Sequence, residues 1–152
     1  MIRLNNSKGF TLIEALISIW ITGSLILVSS FSLLRLYDYI NLNQSLAVLQ
    51  DDLAYVRQYN MLPHQTNNRM ILQIYHDKGY YNLVKGNQAE AFIHRPLPPR
   101  VKIESAYPVS DILFNSLGHI SKGQSFIVKT PSFSKEIVFS IGMGGIDIRD
   151  SN

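Results

Sequence analysis

Hydrophobic positions fall into three patterns along this chain. From Phe10 to Leu34 they are almost continuous, FTLIEALISIWITGSLILVSSFSLL, and Glu14 is the only ionisable side chain among the 25 residues. A helix needs roughly 20 apolar residues to cross a bilayer core, so this run predicts a membrane-spanning helix. Further on, the apolar positions thin to a stripe. Leu42, Leu46, Leu49, Leu53 and Val56 recur at alternating spacings of four and three, one face of an amphipathic helix. Asn43, Gln44, Gln50, Asp51, Asp52 and Arg57 take the other positions. No proline intervenes before Pro63, and Gly23 is the only glycine between Phe10 and Gly79, so one helix is expected from Phe10 to about Asn60. The stripe lasts about two heptads, short of the three or four that mark a coiled coil. It reads instead as a helix packing on its own globular domain.

From Arg69 the period shortens. Met70–His76, Tyr80–Val84, Ala91–His94, Val101–Glu104, Ile112–Asn115, Ser125–Thr130, Glu136–Ser140 and Ile146–Ile148 are rich in Ile, Val, Tyr and Phe. Turn residues separate them: Asp77-Lys78-Gly79, Gly86-Asn87, Pro96 to Pro99, Ser116 to Gly118, and Gly142 to Gly145. Eight short strands predict a small antiparallel sandwich or barrel, with the amphipathic half of the helix contributing to its core. The fold class is therefore α+β.

Composition narrows the chemistry. The chain has 152 residues and no cysteine, so a disulfide framework, a thiolate metal site and a cysteine nucleophile are all excluded. The net charge is +3, but two of the 14 basic residues, Arg3 and Lys8, precede the apolar run. That leaves 12 basic against 11 acidic residues, and whole-chain basicity carries little argument for nucleic-acid binding. The same two cations place the N-terminus in the cytoplasm and the C-terminal domain outside. An ordinary secretory signal peptide, cleaved near Ser30 or Ser32, is the competing reading. The apolar run exceeds the usual length of such a segment, holds an acid near its start, and continues into further helical pattern.

Glu14 is the informative residue, because a carboxylate in a membrane segment costs about 2.5–3.5 kcal/mol on insertion scales and calls for a partner or a function. Lys8-Gly9-Phe10-Thr11-Leu12-Ile13-Glu14 resembles the processing signal of type IV prepilins and type II secretion pseudopilins. The resemblance implies that prepilin peptidase cuts between Gly9 and Phe10 and N-methylates Phe10. It also implies that Glu14 pairs with the N-terminal amine of a neighbouring subunit during assembly. It further implies the lollipop architecture of pilins: residues 1–9 a leader, 10–34 a transmembrane half-helix, 35–62 an amphipathic half, and 63–152 an extracellular β-domain. Asp51 to Arg57, and Ile112 to Gly118 followed by Ile127-Val128, are similar to segments of minor pseudopilins of the GspH/FimT type, including those of competence filaments. The function so implied is structural: a minor pilin-like subunit of a competence pilus, needed for filament assembly and uptake of transforming DNA. Its partners would be the other pilins, prepilin peptidase, and membrane lipid before assembly. A type II secretion pseudopilin and a nucleic-acid receptor are the alternatives.

Enzymatic chemistry finds no foothold. His64, His76, His94 and His119 lack metal-ligand spacing, and no cofactor motif is present. Gly142-Met143-Gly144-Gly145 leads into a short strand rather than a helix, so it is expected to be a turn and not a phosphate loop. One basic segment invites a DNA reading. Arg95-Pro96-Leu97-Pro98-Pro99-Arg100-Val101-Lys102 sets Arg95, Arg100 and Lys102 around a stiff loop that could follow phosphates. A solvated connection between strands is the plainer expectation.

Overall fold

The structure is a computed structural model that describes residues 11–63, 68–86, 91–141 and 145–151. Gly9, Phe10, His64, Asn87 and the segment 142–144 lie outside the described residues. Helix α1 spans Leu12–Asn60. Eight strands follow: β1 Met70–Tyr75, β2 Tyr80–Lys85, β3 Ala91–Pro96, β4 Lys102–Ser105, β5 Val109–Leu113, β6 Gln124–Lys129, β7 Ser134–Phe139 and β8 Ile146–Asp150. The chain divides into two units, residues 1–36 and 37–152.

In the first unit α1 is exposed throughout its apolar stretch, with Leu12, Ile19, Trp20, Val28 and Phe31 each at least 70% accessible. By length and composition this helix can cross a membrane. Its polar side chains cost little there, because Ser18, Thr22, Ser29 and Ser30 each return a hydroxyl hydrogen bond to the carbonyl one turn back.

The second unit begins where the helix turns amphipathic. Leu42, Leu46, Leu49, Leu53 and Val56 are all buried, as their spacing predicts. They share one core with Met70, Leu72, Ile74, Tyr81, Leu83, Ile103, Ile112, Phe126 and Ile137. The strands form two antiparallel sheets in the orders β3-β2-β1-β5 and β4-β6-β7-β8. In β1 and β6 alternate residues are buried, so each sheet turns one face to the core.

All eight expected strands are present, most within two residues of the expected ends. The exception is β5, expected at Ile112–Asn115 and found at Val109–Leu113. Ser110 occupies an inward position there, buried beside Ile112, and this polar residue breaks the apolar alternation that would have revealed the strand. Asn115 belongs to the following turn, where its side-chain oxygen accepts from the amides of Leu117 and His119. Gly118 closes that turn at φ +74°, and a Cβ there would lie 2.8 Å from Met61 Sδ and 2.9 Å from Arg57 Nε.

One junction was hidden in the sequence. The buried side chain of Asn60, the last helical residue, accepts from the amide of Met70 at 2.7 Å and donates to the carbonyls of Met70 (2.8 Å) and Phe114 (3.2 Å). It thereby satisfies backbone groups of β1 and the β5 end that the core would otherwise strand.

Candidate functional site

Two sets of sequence-predicted residues have to be placed: the processing and assembly residues at the head of α1, and the basic residues of the Pro-rich loop. Gly9 and Phe10 lie outside the described residues, so the head of the helix begins with Thr11. Its carbonyl accepts from the amides of Glu14 and Ala15, and its hydroxyl lies 3.3 Å from the Glu14 amide. Thr11 is thus the N-cap, and Glu14 is the third helical residue, the Thr-x-x-Glu spacing that closes a helix start. Glu14 is exposed and in the first turn, where the positive end of the helix dipole favours an acid. Among the described residues it has no cationic partner.

The basic loop is placed differently from a phosphate track. Arg95 sits directly opposite Tyr81 in the β2–β3 pairing, and both side chains reach Asp52 on α1. Arg95 donates through Nε to Oδ2 at 3.0 Å and through Nη2 to Oδ1 at 3.1 Å, and the Tyr81 hydroxyl donates to Oδ2 at 2.7 Å. Arg100 grips Asp38 in the same forked manner, Nε to Oδ1 at 2.8 Å and Nη2 to Oδ2 at 3.1 Å. The Ser132 hydroxyl adds a third bond to Asp38 at 2.7 Å. Lys102 pairs with Asp77 at 2.8 Å. Each of the three basic residues is therefore committed to an aspartate.

The helix explains the spacing. Asp38 and Asp52 are 14 residues apart, just under four turns, so they share a face about 21 Å apart along the axis. They flank the leucine stripe and are both buried, which corrects the expectation that Asp52 lies among the solvated positions. Two buried carboxylates are tolerable only when paired and fully hydrogen-bonded, as the forked arginines ensure. The Pro-rich segment between those arginines runs along the helix, with Pro96, Leu97 and Pro98 facing Gln44, Ser45 and Val48 across a small cleft. Sequence offered one signal for this clamp that went unread: two arginines bracketing a rigid segment, matched by two aspartates in register on one helix face.

Electrostatics follow the contacts. Hydrogen bonding from Arg100 and then Ser132 holds the Asp38 carboxyl below the usual carboxylate range. The hydrogen bond to Asp52 raises the Arg95 pKa, and that to Asp38 raises the Arg100 pKa. Burial, reinforced by the bond to Asp52, pushes the Tyr81 hydroxyl far up, so it stays a neutral donor. Arg100 is held at φ +74° and Asp77 at φ 55°, the only described non-glycine residues with positive φ. Both are ion-pair members, so tertiary contacts hold each strained backbone in place.

A concavity of about 720 Å³ is lined by Arg100, Lys102 and Lys129 together with Ser132, Phe133 and Asp150. Lys129 pairs with Glu104. The three cations are thus each paired with an acid, Asp38, Asp77 and Glu104, which leaves no positive excess for an anion. Among the described residues no group of three His, Cys, Asp or Glu could hold a metal ion.

Comparison with known proteins bears on the first set. Residues 4–30 match the model of the prokaryotic N-terminal methylation motif. Competence protein ComGD of Bacillus subtilis (strain 168) is 29% identical over 148 residues, covering 97% of this chain and 96% of that protein. No solved structure gives a significant match. The methylation motif at its head, a long apolar helix leading into an antiparallel β-domain, and this end-to-end likeness to ComGD support a type IV pseudopilin similar to that protein.

Proposed function

We propose that the chain is a minor structural subunit of a competence pseudopilus, anchored by residues 10–34 with its β-domain outside the cell. Prepilin peptidase removes residues 1–9 after Gly9 and methylates Phe10. The mature subunit then leaves the membrane lipid to join the other pilins of a filament that serves uptake of transforming DNA. The observation that carries this reading is Glu14: an acid with no cationic partner among the described residues, in the first turn of a helix that is apolar for five further turns, four residues beyond Phe10. The new amine at Phe10 supplies the opposite charge, and their attraction is strongest where water is excluded. The role is structural rather than catalytic.

The clamp supports the division of labour. The forked Arg95–Asp52 and Arg100–Asp38 pairs tie the β-domain to residues 38–52 of α1, so the amphipathic half of the helix is a fixed part of the domain. Contact of Arg95, Arg100 and Lys102 with DNA would first require breaking these pairs. Mass spectrometry of the mature chain tests the reading together with a Glu14→Leu variant. The expected result is methyl-Phe10 at the N-terminus and, for the variant, normal processing with loss of filament incorporation. An unprocessed leader in working filaments, or full incorporation of Glu14→Leu, refutes it.

A further inference from the structure

Basic side chains of the β-domain other than Arg69 divide into two populations. Arg95, Arg100, Lys102, Lys129, Lys135 and Arg149 each face a carboxylate. Lys78, Lys85 and Lys122 have no carboxylate partner among the described residues and lie over aromatic rings instead. Lys78 is 5.7 Å from the Tyr75 centroid, Lys122 is 5.0 Å from that of Tyr107, and Lys85 sits over Tyr59 and Phe92.

Tyr75, Lys78 and Tyr107 share one groove of about 410 Å³ with His76, Ser105 and Pro108 among others, with no carboxylate in its walls, and Lys122 lies over the Tyr107 ring at its side. Asp77, next in sequence, is engaged by Lys102. His76 Nδ1 accepts from the Ser105 amide at 3.0 Å, so its proton is on Nε2 and that atom is a donor. Tyr107 is 54% exposed, a large ring left in water. From Tyr75 the aromatic surface continues across the sheet, with Tyr80 at 5.2 Å between centroids and His94 a further 4.8 Å on.

We infer that this groove is a binding site for single-stranded nucleic acid, bases stacking on Tyr107 and the Tyr75–Tyr80–His94 row while Lys78 and Lys122 swing to the phosphates. Charge decides between the two concavities. The larger one has its cations matched by acids, whereas this one has Lys78 in its wall and Lys122 over the adjoining Tyr107 ring, neither with a carboxylate partner among the described residues. Rings and free cations together select a ligand with flat faces and negative charge. A duplex hides its base faces, so the single strand is the form that fits.

The test uses the full chain in detergent micelles and a fluorescein-labelled 20-residue oligothymidylate, read by anisotropy. Two phosphate contacts give a log–log salt slope of about −1.4, so affinity falls about seven-fold between 50 and 200 mM salt. Tyr107→Ser weakens binding about ten-fold, as expected for one stacked base. Lys78→Gln with Lys122→Gln flattens the salt dependence, and as exposed substitutions these leave the fold intact. Lys129→Gln leaves the affinity unchanged. Unaltered affinity in both groove variants overturns the inference. So does equal competition by inorganic polyphosphate, by duplex of the same length, or by a neutral glucan, since each removes either the rings or the charge from the recognition.

Discussion

Replacing Asp52 by alanine removes one acceptor from three donors at once, and the loss can be worked from the contacts. The Tyr81 hydroxyl is the expensive one. Tyr81 is 1% exposed, so without Asp52 its donor is stranded in the core at a cost of about 1–3 kcal/mol. Arg95 loses its fork too, but its side chain is 43% exposed and the guanidinium recovers water, so its share is about 1 kcal/mol or less. Alanine returns about 0.5 kcal/mol in helix propensity. The net expectation is a loss of about 0.5–3.5 kcal/mol. Amide hydrogen exchange in β1 and β2 of the detergent-solubilised chain measures it, since those strands lie over the pair. Tyr81→Phe alone, which leaves the Arg95–Asp52 fork, costs about 1 kcal/mol. The double variant falls short of the sum of the two single losses by about 1 kcal/mol, because both remove the same bond. A loss under about 0.5 kcal/mol for Asp52→Ala, or strict additivity in the cycle, refutes the claim that this carboxylate holds the sheet to the helix.

The Asp38 pair makes stability pH-dependent with a defined sign. Its carboxyl is held below its unfolded value by Arg100 and Ser132, so its contribution is full above about pH 4 and is lost as pH falls through the lowered folded value. Acid titration of thermal stability checks this; Asp38→Asn should lower stability at neutral pH and flatten the acid limb, and an unchanged limb contradicts it. Gly118→Ala sets a Cβ at φ +74° and against Met61 and Arg57. Because both neighbours are flexible side chains that can move, the backbone strain dominates, a loss of about 1–2 kcal/mol in the same exchange measurement. A neutral result there would place the turn's constraint elsewhere.

Much of this protein was legible from periodicity and one motif. The unbroken apolar run, the four–three stripe from Leu42 to Val56 and the eight alternating segments each reflect a local repeat that burial imposes on the chain. Glu14, the residue proposed for assembly, stands out for a similar reason: an acid within an apolar run is a local anomaly. Polar residues in the core were not legible. Asp38, Asp52 and Asn60 look solvated one at a time, and Ser110 concealed the start of β5. Their burial depends on Arg100, Arg95 and the Met70 backbone, partners 10 to 62 residues away that only the folded chain brings near. The same holds for the basic loop, whose charges look free in sequence yet are neutralised by two helix aspartates and by Asp77 of the β1–β2 turn, while Lys78 and Lys122 stand out only once the tyrosines beneath them are in place. Hydrophobic burial repeats along a chain and can be read there. Charge pairing is settled between segments, so the tertiary structure alone decided which cations hold the domain together and which remain available to a ligand.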